Sequence, residues 1–235
     1  MINEINLASR LSNPAQRNWD HNFVMPEEHV DCLVQTVTNS PTKQNETHYK
    51  VYYTTDSELI YNIYYNTNHF TVVNSSEFTN DSGITPDDYN VRNSQCNANL
   101  LVIFCSDYEK NSRTMVHRVT EERKRTVNPK AIRVREKTKA YSVGVAAGEL
   151  ILAANLLDYR TGLTSAFNAS DLRQFVNGDT VELLVGIGKP DPTKDRRQHE
   201  EVLNKEITLK ERRTGDDNEF WKFPTFKKDL KIERL

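Results

Sequence analysis

Apolar residues along the chain alternate between helical spacing and short unbroken runs. Ile5, Leu7, Ala8 and Leu11 fall on one side of a helix over Asn3 to Leu11, which Pro14 interrupts. Pro26-Glu27-Glu28 places proline and acids in the first turn of a second helix reaching Asn39. Its apolar face is Val30, Leu33, Val34 and Val37. The β-prone run Tyr49 to Thr55 predicts a strand, and Ser57 to Tyr65, with Leu59, Ile60 and Ile63, a tyrosine-rich helix. Leu100 to Cys105 is apolar throughout, the pattern of a strand buried on both faces. Val143 to Leu157 is small or apolar at almost every position, with Gly144 and Gly148 among Ala146, Ala147, Ala153 and Ala154. A helix apolar around most of its circumference lies in a core or an interface, and both readings stand. Gly162 to Phe167 and Val181 to Ile187 predict further strands, separated by a short helix capped by Ser170 or Asp171. The order is that of an α+β or α/β layered domain without internal repeats.

The polar stretches between these elements add less. Residues 66–98 are rich in Asn, Ser, Thr and Asp and read as containing a loop. Residues 118–139 carry Arg123, Lys124, Arg125, Lys130, Arg133, Arg135, Lys137 and Lys139. They read as a solvated helix broken near Pro129, because single-stranded nucleic acid would want interleaved aromatics and none occur there. The hydrophilic tail from Ile207 holds Phe220, Trp221, Phe223 and Phe226, an arrangement suited to docking on a partner subunit.

Composition narrows the class. The 235 residues suit one domain with extensions, and a net charge of −2 gives no general attraction to nucleic acid or to an anionic membrane. The hydrophobic fraction of 37% is low for a compact domain and fits dimerisation or polar extensions. No apolar run approaches the ~20 residues of a membrane span. Met1 to Arg10 lacks a signal pattern, and Cys32, Cys96 and Cys105 show no CxxC spacing, so a reducing cytoplasm is the expected setting. The six histidines lack metal-ligand spacing, so no metal is expected.

The stretch Ser40-Pro41-Thr42-Lys43-Gln44-Asn45-Glu46-Thr47-His48-Tyr49 runs from predicted helix into predicted strand. It resembles the flavin-binding loop of the nitroreductase family, Ser-Pro-Ser-x-x-Asn-x-Gln-Pro-Trp, with Thr47 and His48 where the family has Gln and Pro. Other pieces follow in family order. Arg10-Leu11-Ser12 resembles its Arg-x-Ser element. Arg17-Asn18-Trp19-Asp20 resembles its Arg/Lys-x-Phe-Asp segment, with about three extra residues in between. Ala153-Ala154-Asn155-Leu156-Leu157 with Thr161-Gly162-Leu163 resembles its helix-to-strand passage, Asp158-Tyr159-Arg160 replacing the usual glycine-leucine pair. Val185-Gly186-Ile187-Gly188-Lys189-Pro190 and Lys194-Asp195-Arg196 complete the match. The resemblance covers about residues 8–56 and 98–205.

The resemblance implies an α+β, nitroreductase-like fold over residues 1–205, a mixed central sheet wrapped by helices in an intertwined homodimer. Residues 108–140 would be a lid or insertion, and 206–235 a C-terminal extension. It implies FMN as cofactor, NADH or NADPH as reductant and a small-molecule acceptor such as a nitroaromatic or quinone. Arg10, Ser12, Lys194 and Arg196 would hold the phosphate. Arg17 would face the N1–O2 edge. Pro41, Thr42, Asn45 and Thr47 would face the ring or ribityl chain. Of the polar residues ahead of Leu100, which include Arg92, Asn93 and Gln95, Asn93 is the expected amide partner. Thr161 and Gly162 would bring backbone close to the ring. No catalytic side chain is implied, since the flavin carries the chemistry. Two alternatives remain: the same fold with other flavin chemistry (dehalogenation, flavin fragmentation, dehydrogenation), or a flavin-free binding protein. A basic nucleic-acid module centred on 118–139 is the remote one.

Overall fold

A computed structural model describes residues 1–12, 15–42, 47–67, 92–107 and 129–194. Asn45, Arg196, most of 108–140 and the tail 206–235 lie outside these residues. The element order follows the hydrophobic pattern. α1 (Ile2–Leu11) and α2 (Glu27–Thr38) precede β1 (Tyr49–Thr54), α3 (Ser57–Tyr65) and β2 (Leu100–Ser106). Next come the long α4 (Pro129–Leu156), β3 (Arg160–Thr164), the short α5 (Ala169–Leu172) and β4 (Val181–Gly188). The four strands form one sheet in the order β1-β2-β4-β3. Where a mixed sheet is expected, every pairing between the described strands is antiparallel.

β2 is the axis of the domain. All seven of its residues are buried, and their alternation feeds two cores. Leu100, Val102 and Phe104 pack with Val30 and Leu33 of α2 and with Ala146, Ala147 and Leu150 of α4. Leu101, Ile103 and Cys105 face the other way, onto Ile60 and Ile63 of α3 and Leu172 of α5. Burial without a cationic neighbour strong enough to offset it pushes the Cys105 thiol up to about 12, so it is an inert packing group.

The part of the basic stretch before Pro129 lies outside the described residues; from Pro129 a helix continues to Leu156, as suits proline in a first turn. Two local readings are corrected. The short helix is capped by Asn168, whose side chain accepts from Ser170 N, rather than by Ser170 or Asp171. The strand expected at 162–167 runs from Arg160 to Thr164. The end of α4 shows why Asp158 can stand where the resembling family has glycine. Tyr159 N–H donates to Ala154 O (2.9 Å) and Asp158 N–H to Asn155 O (3.2 Å), a Schellman closure. It places Asp158 at φ 59°, a left-handed conformation that aspartate tolerates better than most residues.

Candidate functional site

The segment 15–20 is laced across the ends of β3 and β4. Gln16 N–H donates to Thr161 O (2.9 Å), Asp20 N–H to Lys189 O (2.9 Å), and Asp191 N–H to Asn18 O (3.2 Å). Trp19 forms a bridge with Pro190. This backbone stitching brings Arg17 and Lys194, from opposite ends of the described chain, to one place.

A 3₁₀ turn, Ser94–Cys96, supplies the next wall. It lies against the sheet because Gly162 and Gly186, paired across β3 and β4, carry no Cβ. A Cβ on Gly186 would collide with Gln95 O and come within 3.0 Å of Ala98 Cβ; one on Gly162 would strike Gln16 O and meet Gln95 Cβ at 2.9 Å. Arg17 Nη1 donates to Gln95 Oε1 (3.0 Å), and Trp19 Nε1 to Ser94 O (2.9 Å), fixing the turn.

These parts and α3 border a cleft of about 180 Å³. Arg17, Arg92 and Lys194 line it together with Tyr61 and Tyr64, and no carboxylate is among the described lining residues. Arg92 is braced: its guanidinium sits 3.9 Å from the centroid of the Tyr65 ring, and its Nε donates to Tyr65 O (3.2 Å). Lys194 pairs with Asp191 at 3.3 Å, a partly exposed contact of small worth. Hydrogen bonds from Thr193, then from Lys194, hold the Asp191 carboxyl below its ordinary range. Ser94 Oγ, in the turn that walls the cleft, is buried without a hydrogen-bond partner. Three cations, amides at Asn18 and Asn97 and the absence of lining acids make this a place for an anionic, polar ligand. A phosphorylated flavin fits that donor set.

The expected site residues divide into groups. Arg17 and Lys194 meet in the cleft. Arg10 lies exposed in the last turn of α1. Ser12 Oγ donates to Ala8 O (2.8 Å) and accepts from Asn155 Nδ2 (3.2 Å). The chain from Ser12 to Arg17 spans at most about 18 Å even when extended. Thr161 and Gly162 lie beneath Gln16 and Gln95, their backbone already engaged. Pro41, Thr42 and Thr47 flank residues outside the described set. Asn93 is spent on the fold: its Nδ2 bonds Ala166 O and Thr67 O, and its Oδ1 accepts from Thr164. Its neighbour Arg92 lines the cleft instead, and Tyr61 and Tyr64 join it. The available signal was Tyr61, Tyr64 and Tyr65 on one short helix, more phenol than a core requires.

No family model and no curated protein matches the chain in sequence. Solved structures do match in backbone. Nitroreductase A from Vibrio parahaemolyticus superposes with a TM-score of 0.56 at 13% identity, over 84% of this chain and 72% of that one. The NADPH:FMN oxidoreductase from Vibrio harveyi complexed with NAD+ gives 0.54 at 14%, over 89% and 82%. An FMN complex described as a nitroreductase, from Exiguobacterium sibiricum, gives 0.55 at 12%, over 81% and 90%. At such identities the agreement lies in the path of the backbone: this chain has the nitroreductase fold.

Proposed function

We propose that the cleft binds FMN and that the protein is an NAD(P)H-dependent oxidoreductase acting on nitroaromatics, quinones or similar acceptors. The supporting observation is the convergence of Arg17, Arg92 and Lys194, from three separate parts of the chain, in a cleft with no carboxylate among its described lining residues. Bound FMN would supply two-electron chemistry, taking hydride from NADH or NADPH and passing it to the acceptor. The residues would supply charge and position. Arg17 and Arg92 are braced by Gln95 and Tyr65, so either guanidinium would stabilise negative charge on a bound flavin without reorganising, Arg17 being the one the resemblance puts at the N1–O2 edge. Lys194, with Arg10 and Arg196, would neutralise the phosphate. Ser12 joins them only by exchanging its bond to Ala8. Pro41, Thr42, Asn45 and Thr47 would border the ring, and Asn93 would position Arg92 from behind.

The working unit in this reading is a cytoplasmic homodimer. Tyr141, Val145 and Leu156 of α4 are exposed apolar residues. On the same helix Gly144 and Gly148 are exposed, and a Cβ on either would meet nothing within 4 Å. A second copy of α4 can approach closely along such a face, leaving each loop at 40–49 free to serve the other subunit's cleft.

FMN titration of the apoprotein, followed by quenching of flavin fluorescence, tests the reading. Saturable uptake is expected, with Arg17→Ala and Arg92→Ala each weakening it about tenfold or more, the effect of one charge-assisted hydrogen bond. No uptake, or unaltered uptake by both variants, overturns it.

A further inference from the structure

Asn99, the residue before β2, joins three walls of the cleft that lie far apart in the chain. Its Nδ2 donates to Asp20 O (2.9 Å) and to Phe23 O (2.8 Å), and its Oδ1 accepts from Lys189 N–H (3.1 Å). Its own N–H donates to Ile187 O (3.2 Å). Two carbonyls on one side and an N–H on the other suit a carboxamide. A carboxylate has no proton for the carbonyls, and an apolar side chain has neither group. The amide has room because position 188 is glycine: a Cβ there would collide with Asn99 Oδ1 and lie 2.9 Å from its Cγ. The segments it ties do line the cleft. Arg17, Asn18, Trp19 and His21 belong to the segment held at Asp20 and Phe23, Lys194 follows the segment held at Lys189, and Asn97 lies just before Asn99 itself.

We infer that Asn99 is a positioning residue: it locks the segment bearing Arg17 and the segment bearing Lys194 to the start of β2, and so fixes the spacing of the cations that receive the cofactor. The inference rests on the FMN reading of the cleft. Cations held at a set spacing need not reorganise when an anion arrives, and that saving appears as affinity. The groups held at positions 20, 23 and 189 are all backbone. The tie is therefore indifferent to the side chains there and depends on residue 99 and on the glycine beneath it.

The experiment is an FMN titration of wild type, Asn99→Ala, Asn99→Asp, Gly188→Ala and the double variant Asn99→Ala with Gly188→Ala, together with amide hydrogen exchange of each apoprotein. Asn99→Ala deletes the amide and Gly188→Ala displaces it, so each is expected to bind FMN about tenfold more weakly. Exchange should quicken over 15–23 and stay unchanged in β2. Because both changes act on one group, the double variant is expected to bind within about twofold of the weaker single variant. Asn99→Asp keeps an acceptor for Lys189 N–H but turns an oxygen toward two carbonyls, so it should loosen 15–23 and leave the Lys189 amide protected. Wild-type FMN affinity in Asn99→Ala and Gly188→Ala would overturn the role even if both lost stability, since a mere staple of the fold would do that. Losses that multiply to about a hundredfold in the double variant would also overturn it. Should Asn99→Ala fail to fold, Asn99→Asp, nearly equal in size to the native residue, decides by affinity and exchange. A wild-type protein that takes up no FMN sinks the cofactor reading and this role with it; FMN-binding wild type with indifferent variants sinks the role alone.

Discussion

Adding one methyl group at Gly186 tests how the cleft is built. Gly186 lies in β4, next to β2 and opposite Gly162, and the chain at Gln95 passes directly over it. In Gly186→Ala the new Cβ would collide with Gln95 O, with Gln95 C at 3.1 Å and Ala98 Cβ at 3.0 Å. Two of these three atoms are backbone, so no side chain can rotate away and the turn must lift. Overpacking of this kind costs about 1–3 kcal/mol, from which the strand preference of alanine over glycine returns about 0.5–1 kcal/mol. A net loss of about 1–2 kcal/mol should lower Tm by about 2–8 °C for a domain of this length. The lift also carries Gln95 away from Arg17 and moves Ser94 and Asn97 in the cleft wall, so FMN affinity should fall together with stability. Denaturant titration and FMN titration of the same preparation read both. Full stability in Gly186→Ala would refute the packing argument. Lost stability with unchanged FMN affinity would show that the turn is no part of the ligand site.

Two further outcomes are expected. Lys50 and Asp179 pair at 2.7 Å, with Tyr52 donating to the same carboxylate. Burial pushes the Asp179 carboxyl up, but bonds from Lys50 and Tyr52 leave it below its ordinary value, while Lys50, bonded to Asp179, is raised. The depressed carboxyl contributes stability that is complete above about 3.9 and is lost as pH falls through the folded value. The raised amine contributes stability that is complete below about 10.4 and is lost as pH rises through its folded value. Melting curves of wild type and Asp179→Asn should therefore differ by a constant amount at intermediate pH and converge at both extremes; parallel curves throughout would contradict the pairing. Gly148→Leu should not weaken a lone subunit, because its Cβ meets open space and leucine favours helix by about 0.5–1 kcal/mol. Light scattering should show that variant as a monomer, and a dimer equal to wild type would remove α4 from the interface.

Much of this architecture was legible along the chain, for identifiable reasons. β2 announced itself because a strand buried on both faces is apolar along nearly all its length, as Leu100 to Cys105 is; only Ser106, at its end, is polar. α3 was bounded correctly because Asp56 and Ser57 start it and polar Asn66 and Thr67 follow it. β3 was misplaced because it is the last strand of the described sheet: Arg160 and Thr161 belong to it, yet nothing apolar marks them, and Leu163 is exposed. The cap of α5 was ambiguous because Asn168, Ser170 and Asp171 all suit that role and only the backbone decides between them. The resemblance named Arg17 and Lys194 from short motifs far apart in the chain, and both line the same cleft. Arg92 could not be chosen over Asn93, because which of two neighbours in a turn faces the cleft depends on anchors at Thr67, Thr164 and Ala166 that are far away in sequence.

The most direct measurement is the visible spectrum of the purified, FMN-loaded protein before and after anaerobic addition of NADH or NADPH. The cleft as described predicts that the protein carries the absorption of an oxidised flavin through gel filtration and that one of the two nucleotides bleaches it, with Arg17→Ala losing the flavin on the column. A colourless protein that retains no flavin would contradict the account. A coloured one whose flavin neither nucleotide bleaches would leave a flavin site but not this oxidoreductase.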